Sequence, residues 1–383
     1  RPRRFGKSLL VSTLQCYFEG RKELFEGLKI MELEKDWVKR PVIHFSMNLG
    51  GSDAESLYHY LDDTLTKYEE IYGKRTTEAT LSNRFTGIIE RAYQQSGLQI
   101  AVLVDEYDAP LQHSYLTERH DKCRNLYRDF FTGLKDYGYC IKCVFLTGIT
   151  KFTQISLFSV LNTLSNISFY NSYSTICGLT KEEILENLKD EIQALAAQKK
   201  WDINQTMHEL KDMYDGYHFS ESMQGVYNPY SVICALKEKR LRPYWIASGA
   251  TEMLPKILTN FEKDVETLDG CLIDMDYIET ADISKDNPKL FLYQSGYLTI
   301  KGVVGETYRL GFPNREVKKA LLELVVPNML NANKEETEIA SRHYADAYAA
   351  SKKKLISLAL VFDKENRGLI DWQEADKQIA LDY

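Results

Sequence analysis

The chain opens with the residues RPRRFGKS, and Gly6, Lys7 and Ser8 match the end of a phosphate-binding loop of the form G-x-x-x-x-G-K-[ST]. The stretch that follows, LLVSTLQCYFEG, has apolar residues at helical spacing and ends near Gly20. This pattern places the loop at a helix N-terminus, where free N–H groups and the helix dipole favour an anion. In such a loop the lysine meets phosphate oxygens and the hydroxyl of the next residue holds Mg²⁺.

Two features of the loop leave an alternative open. Arg1 stands where the motif has its first glycine, and the chain begins inside the motif, so we expect the strand that leads into the loop to lie upstream. The alternative is an ordinary helix N-terminus that carries a lysine and a serine. The choice depends on finding the other half of a nucleotide site.

The segment LQIAVLVDEYDAPL supplies that other half. Its run Ile100 to Val104 is apolar on both faces, as expected of a central parallel strand, and Asp105 and Glu106 follow it directly. In phosphate-loop enzymes the first acid holds the water shell of the metal, and the following glutamate polarises the attacking water. An exposed strand-to-loop junction is the alternative. Asp108 has three interpretations: a brace for the loop, a second acid beside the metal, or a turn residue before a proline.

A second apolar strand is predicted from Cys143 to Leu146, and Thr147 follows it. A polar side chain at this point senses the terminal phosphate in many such ATPases, and Thr147 is our candidate. The alternative is a β-branched residue that merely ends a strand. Lys151 is a weaker candidate for charge stabilisation.

Further strand and helix patterns alternate around these segments. We predict a strand over Pro41 to Gly50, and helices over Ser52 to Tyr72, Leu81 to Gln95, and His120 to Tyr137. Strands that alternate with helices indicate a parallel α/β sheet.

From Gly178 onward the sequence pattern changes from alternating strands and helices to short helices. Thr180 and Glu183 form a capping box at the start of an amphipathic helix, and short helices rich in aromatic residues follow. This segment is not basic, so packing in a small helical domain is favoured over base stacking for four residues that invite the comparison: Lys211, Tyr214, Tyr217 and Trp245.

Composition excludes some classes of protein. The formal charge of −7 over 383 residues argues against a protein that coats DNA or an anionic membrane. No apolar run reaches the length of a membrane span and no signal peptide is visible. Seven scattered cysteines suit a reducing compartment, and the pair Cys140 and Cys143 has no partner pair at zinc spacing. A bacterial-type cytoplasmic protein is the default expectation.

Several segments, taken in order, resemble a bacterial family of AAA-like ATPases that are often fused to a PD-(D/E)XK nuclease-like domain. The family's loop has the form R-P-R-R-F-G-K-[ST], so Arg1 fits it. The other matching segments are LVDEYDAPL, FLTGITKFTQISLFSVLN, YDGYHF, VYNPYS, YQSGYLTIK and FPNREV. The resemblance covers about residues 1 to 320. It implies ATP binding and hydrolysis, with Mg²⁺ as cofactor and a helical subdomain beside the ATPase core.

The resemblance also implies site residues. Lys7 and Ser8 carry over as phosphate and Mg²⁺ contacts, Asp105 as the acid near the metal, and Glu106 as the catalytic base. Together with Thr147, Asp105 and Glu106 form the predicted catalytic set, and Ser8 and Asp105 form the predicted metal set. The predicted nucleotide-binding residues are Arg3, Arg4, Phe5, Gly6, Lys7, Ser8 and Leu9. Phe158, Ser159 and Asn162 also match the family, but no chemical role is assigned to them.

The C-terminal part departs from the family. A nuclease domain needs an Asp and then a strand bearing Glu-x-Lys, but this chain passes through VVPNMLNANKEETE directly into a helix and two strands, Leu355 to Phe362 and one after Asn366 to Gly368. Asp363, Lys364 and Glu365 read as a solvated turn. Either the nuclease core is lost, or residues near 328–338 are absent from the sequence.

The fold prediction is therefore an α/β phosphate-loop NTPase with a parallel sheet, a helical lid and a reduced α+β nuclease-like remnant. The predicted domains are an ATPase core over 1–175, a lid over 176–260, a helix and hairpin connector over 261–320, and the remnant over 321–383. The predicted function is Mg²⁺-dependent ATP binding and hydrolysis. The alternatives are a nucleotide-gated switch with negligible turnover, or the ATPase part of a DNA-processing nuclease. A protein partner or a homo-oligomer fits these readings, and the net charge does not favour nucleic acid.

Overall fold

The computed structural model describes residues 1–151, 164–247, 253–258, 265–281, 283, 287–321, 357–362 and 369–375. Two compact units are distinguished by their internal contacts. One comprises Arg1–Phe261 with Glu266–Val317, and the other comprises Glu262–Val265 with Lys318–Tyr383. The boundaries predicted at residues 175, 260 and 320 stay predictions.

The strands of the described residues belong to two small sheets and a hairpin. They are β1 (Val42–Ser46), β2 (Ile100–Asp105), β3 (Ile141–Leu146), β4 (Leu272–Asp274), β5 (Thr299–Val304), β6 (Thr307–Gly311), β7 (Ser357–Phe362) and β8 (Leu369–Ala375). The first three form a parallel sheet in the order β1-β2-β3, the next three an antiparallel sheet in the order β4-β6-β5, and the last two an antiparallel hairpin. The predicted mixed α/β fold with a parallel sheet is confirmed.

The helices of the described residues surround the sheets. Those before residue 150 are α1 (Lys7–Phe18), α2 (Ile30–Leu33), α3 (Ala54–Tyr72), α4 (Leu81–Ser96), α5 (Ala109–Ser114) and α6 (His120–Phe131). Those after it are α7 (Lys181–Asn187), α8 (Lys189–Lys199), α9 (Ile203–Tyr214), α10 (Pro229–Glu238), α11 (Tyr244–Ala247), α12 (Met253–Leu258), α13 (Met275–Thr280) and α14 (Pro288–Ser295). Short 3₁₀ helices lie at Lys22–Phe25, Met47–Gly50, Thr132–Cys140, Ile167–Phe169, Asn171–Tyr173 and Val265–Leu268.

The largest differences from the predicted element boundaries lie at the ends of one strand and two helices. The strand predicted over Pro41 to Gly50 stops at Ser46, and a 3₁₀ turn follows it. The helix predicted to reach Tyr137 ends at Phe131 and continues as 3₁₀ helix. The helix predicted after Thr180 is interrupted at Leu188, whose backbone is not helical, so α7 and α8 are separate. The capping box itself is confirmed by reciprocal hydrogen bonds between Thr180 and Glu183.

The parallel sheet positions the candidate site, because its central strand β2 carries the predicted acidic residues at its carboxyl end. Every residue of β2 is buried, as its apolar sequence predicts, whereas β3 at the sheet edge is mostly half-buried. In register, Ser46 of β1 pairs with Asp105, and Val104 pairs with Leu146 of β3. The carboxyl ends of the three parallel strands therefore meet at one edge, which is where such sheets bind ligands.

Aromatic rings fill the space between β1 and the helices on one face of the sheet. The ring centroids of Phe45 and Phe85 are 5.2 Å apart, and those of Phe85 and Phe130 are 4.9 Å apart in a stacked pair. Beside this core, Arg84 of α4 makes a buried ion pair with Glu69 of α3, with 2.6 Å between Nε and Oε1. This packing fixes α3 and α4 on the sheet.

The helices after residue 180 have a hydrophobic core of their own. It is built from apolar and aromatic residues of α7, α8, α9 and α10 with Tyr244, and Leu210 and Tyr214 at its centre are fully buried. Tyr217 and Trp245 are also buried, each 1% exposed. The prediction that these aromatic residues serve packing is confirmed.

Candidate functional site: a phosphate loop facing an acidic strand end

Residues 1–8, called the loop here, turn sharply into α1. Arg4 and Gly6 have φ of 65° and 88°, in the left-handed region that glycine adopts readily and arginine rarely. Gly6 is the N-cap of α1 and has no side chain to accept a hydrogen bond from the helix start. The first N–H groups of α1 therefore meet no capping side chain, and the dipole of this 12-residue helix adds partial positive charge there. The arrangement is suited to an anion.

Lys7 places a cation beneath the loop. Its side chain is buried, and its Nζ donates a hydrogen bond to the Pro2 carbonyl at 2.9 Å. Burial lowers the pKa of Lys7, and the negative charges of Asp108, Glu106 and Asp105 act in the opposite direction. The structure thus brings the predicted lysine and the predicted acids into one electrostatic neighbourhood, although they lie about a hundred residues apart in sequence.

The end of β2 is tied to the end of β3. The Thr147 hydroxyl donates a short hydrogen bond to Oδ1 of the buried Asp105, and Tyr107 N–H donates to the Thr147 carbonyl at 2.9 Å. Glu106 between them has φ of 50° and is only half-buried. Burial raises the pKa of Glu106, and the charge of Asp105 raises it further. The predicted catalytic set of Glu106, Asp105 and Thr147 is therefore assembled at one point.

Asp108 acts as a brace and also lies at the N-cap of α5, directly before the turn with Pro110; a role as a second acid beside the metal stays a prediction. Its Oδ2 accepts hydrogen bonds from Ile149 N–H at 3.0 Å, from Thr150 N–H and the Thr150 hydroxyl at 2.6 Å each, and from Gln112 Nε2 at 2.5 Å. The carboxylate is buried and joins the loop after β2 to the loop after β3. With so many donors on one oxygen, it holds the acidic strand end in place.

Gly148 fits against this brace because it has no side chain. A Cβ at this position would lie 2.5 Å from Asp108 Oδ1 and 2.7 Å from Tyr107 Cε1. The requirement for glycine after Thr147 follows from this close approach. Sequence reasoning missed it, although a glycine directly after a strand-end threonine was the available signal.

Arg1 anchors the loop from behind. Its guanidinium donates to the carbonyls of Ile176 at 3.1 Å, Ser168 at 3.0 Å and Tyr173 at 2.5 Å, and it lies 4.1 Å from the centroid of the Phe219 ring. The guanidinium N–H groups of Arg1 are used in hydrogen bonds to backbone carbonyls. Arg1, which stands at the first glycine position of the motif, therefore anchors the loop. The sequence did not assign Arg1 this role, because its partners lie more than 160 residues away.

The other predicted loop residues point in several directions. Phe5 is buried, with its ring centroid 4.8 Å from that of Tyr217, so only its backbone is available to a ligand. Arg3 is half-buried, and burial lowers its pKa. Arg4 is exposed, with its guanidinium 4.9 Å from the Tyr230 ring centroid.

Ser8, Leu9 and Lys151 complete the comparison with the prediction. Ser8 and Leu9, the latter 71% exposed, lie at the open start of α1. The Lys151 ammonium donates to the Glu279 carbonyl, and its N–H donates to Gln294 Oε1 at 3.0 Å. Lys151 is therefore engaged in contacts with the protein, and its assignment to charge stabilisation stays a prediction. Phe158, Ser159 and Asn162, like Asp363 to Glu365, lie outside the described residues.

The metal donors predicted from the sequence are hard oxygen ligands. The exposed hydroxyl of Ser8 and the carboxylate of Asp105 suit Mg²⁺, which takes one or two protein ligands and completes its shell with phosphates and water. Within the part of the chain that is described, no cluster of three or more His, Cys, Asp or Glu side chains is arranged to hold a metal by itself. The residues fit a metal that arrives with a phosphate ligand. The seven cysteines are all free thiols.

Two comparisons with known proteins concern the family of this chain. Residues 1–158 match the model of the AAA-ATPase-like family, which is described as "Predicted AAA-ATPase". A protein of Azotobacter chroococcum mcd 1, described as "Uncharacterized protein in vnfD 5'region", is 32% identical over 337 residues, a match that covers 85% of this chain and 62% of that protein. The chain thus spans less than two thirds of this relative. The family match suggests nucleotide binding.

Among the helices described, none has both the length and the apolar character to cross a membrane.

Proposed function

We propose that the protein binds ATP together with Mg²⁺ at the loop and hydrolyses it. The observation that carries the proposal is the grouping of Lys7 with Asp105 and Glu106 at the N-terminus of α1. A buried lysine, helix-start amides without a side-chain cap and acids at a strand end are the parts that phosphoryl transfer requires. The family match over residues 1–158 supports the same class of ligand.

Each residue has a proposed role. Lys7 leaves the Pro2 carbonyl and contacts phosphate oxygens, while the amides of the loop surround the phosphates. Ser8 and Asp105 hold Mg²⁺, which neutralises phosphate charge when bound. Glu106 orients the water that attacks the terminal phosphate in line. Thr147, hydrogen-bonded to Asp105, reports the presence of that phosphate to the acidic strand end.

Further parts of the chain also receive proposed roles. We propose that residues 176–260 act as a lid, supported by their separate hydrophobic core and by the contacts of Tyr217 and Trp245 with the loop. Residues 261–320 connect this lid to residues 321–383, which we propose to be a remnant of a nuclease-like domain. The β7–β8 hairpin is the part of that remnant that the structure describes.

A nucleotide-gated switch with negligible turnover is the second candidate. Burial and the charge of Asp105 raise the pKa of Glu106. A raised pKa lowers the fraction of this glutamate that is ionised and able to accept a proton from water, which favours slow turnover. No residue of the described chain is assigned as an arginine finger. A nuclease driven by the ATPase is a third reading, and metal-dependent DNA cleavage by this chain would establish it.

The test measures Mg²⁺-dependent ATP binding and phosphate release. Lys7→Ala should weaken binding at least about tenfold, because a charged hydrogen bond contributes about 1.5–3 kcal/mol. Glu106→Gln should keep binding and lose phosphate release. Lys67→Ala, at an exposed position of α3, is the matched lysine control and should behave like the wild type.

The outcomes separate the candidates. Phosphate release by the wild type that disappears in both site variants supports the ATPase. Binding without release in the wild type supports the switch. Unchanged affinity in Lys7→Ala would exclude the loop as the phosphate site.

A further inference from the structure

The back of the loop is held by a side chain from α11, in the helical region formed by residues 176–260. The indole N–H of Trp245 donates a hydrogen bond to the Arg3 carbonyl at 3.2 Å. The backbone N–H of the same tryptophan donates to Oε1 of Glu316 at 2.7 Å. Glu316 also accepts from the Ser231 hydroxyl at 3.2 Å. A chain of contacts therefore runs from residue 316 to residue 3, and we call the pair Trp245 and Glu316 the clamp.

The clamp acts on a peptide group whose orientation matters to an anion. In a trans peptide the C=O and the following N–H point in opposite directions. Because Trp245 holds the Arg3 carbonyl on the packed side of the loop, the Arg4 N–H is directed to the other side. Arg4 and Gly6 both have positive φ, and successive N–H groups in such turns form a concavity that binds anions.

The clamp is built as a rigid feature. Trp245 is 1% exposed, and its ring centroid is 5.0 Å from that of Tyr297 in an edge-to-face contact. Glu316 is also 1% exposed, and within the described residues it makes no ion pair, so its carboxylate relies on neutral donors. Burial of a carboxylate without a cation is unfavourable, and an apolar residue would cost less. Its hydrogen bonds point to positioning as its role.

We propose that Trp245 and Glu316 are positioning residues that hold the loop in the conformation that presents its amides to the phosphates of a nucleotide. The identity of the ligand rests on the proposed function, whereas the restraint on the loop does not. The proposal adds two residues, from helix α11 and from the FPNREV segment, to a site otherwise built from residues 1–150.

The test uses Trp245→Phe, which keeps an aromatic ring and removes the donor. Trp201→Phe is the matched control, since Trp201 lies near Lys199 with 5.8 Å between Nζ and the ring centroid, and its backbone N–H donates to the Ala196 carbonyl of α8. One measurement is amide hydrogen exchange of residues 3–8 without nucleotide. The second is the affinity for Mg²⁺-ATP beside that for adenosine, which lacks phosphates.

For Trp245→Phe we expect faster exchange at residues 3–8 and about three- to tenfold weaker Mg²⁺-ATP binding, which corresponds to the loss of one hydrogen bond. Adenosine binding should not change, because the clamp acts on the phosphate-facing amides. A merely structural role would weaken both ligands. Trp201→Phe should match the wild type in every measurement.

Unchanged exchange and unchanged Mg²⁺-ATP affinity in Trp245→Phe would overturn the clamp. Faster exchange in a protein whose wild type binds no Mg²⁺-ATP would retain the restraint and refute the proposed function instead. If Trp245→Phe does not fold, Trp245→benzothienylalanine keeps the shape of the indole without its N–H, and the same expectations apply to it.

Discussion

Glu316 is expected to make the free energy of unfolding depend on pH. Burial raises the pKa of Glu316 from 4.5 to about 7. Between these values the unfolded chain has released a proton that the folded chain keeps, so increasing pH favours unfolding. The contribution of the protonated Glu316 side chain to the free energy of unfolding is fully present below pH 4.5 and is lost as the pH rises towards about 7. The whole change corresponds to about 3 kcal/mol.

The assay compares the wild type with Glu316→Gln in urea unfolding followed by tryptophan fluorescence. The variant has an amide oxygen that can accept from Trp245 N–H and no group that ionises there. Between about pH 5.5 and about pH 8 the difference in unfolding free energy should shift by about 2 kcal/mol in favour of the variant. Other titrating groups are common to both proteins. Burial raises the pKa of Tyr214 and Tyr217, which face Glu316, so they stay neutral.

Parallel stability profiles of the two proteins across this range would refute the reasoning. They would mean that the Glu316 carboxyl ionises in the folded protein as it does in the unfolded chain. A profile that converges at low pH and diverges at high pH would support it. The difference at a single pH is not sufficient, because the amide also changes hydrogen-bonding geometry.

Two further predictions concern the brace behind the acidic strand end. Gly148→Ala should destabilise the protein by about 1–3 kcal/mol and reduce phosphate release, because the added methyl group would overlap Asp108 and Tyr107; thermal unfolding measures this, and Gly138→Ala, where nothing lies within 4 Å of the added atom, is the control. Asp108→Asn should cost about 2–4 kcal/mol in urea unfolding, because the charge that gathers the Thr150 donors is removed; equal stability of the two proteins would show that the brace contributes little.

Much of the fold was predicted from local sequence patterns. The apolar run of β2 with its acids, the helical spacing of α3 and α4, and the Thr180 capping box were visible in the sequence, since each depends on neighbouring residues. The ends of two elements were predicted wrongly, because 3₁₀ turns after Ser46 and Phe131 replace regular structure without a strong sequence signal.

The candidate site was predictable only on its ligand-facing side. Lys7, Asp105 and Thr147 belong to residue types and spacings with known chemistry, and the structure brings them together. The contacts of Arg1 and Trp245 could not be predicted, because they join residues more than 160 positions apart and are determined by tertiary packing. The burial of the Glu316 carboxylate could not be predicted from the sequence, because a glutamate is expected to be exposed.

The contrast between the two sides of the loop explains how an arginine can occupy the first position of a glycine motif. The glycine in that position normally permits a close turn of the backbone. Here the backbone is restrained by Arg1 against the carbonyls of residues 168–176, by Phe5 against aromatic rings and by Trp245 at the Arg3 carbonyl. Packing against residues 168–247 thus restrains the loop backbone here, whereas in other phosphate loops a glycine permits the turn. It follows that the conformation of the loop depends on this packing, and we expect an isolated fragment of residues 1–150 not to keep that conformation.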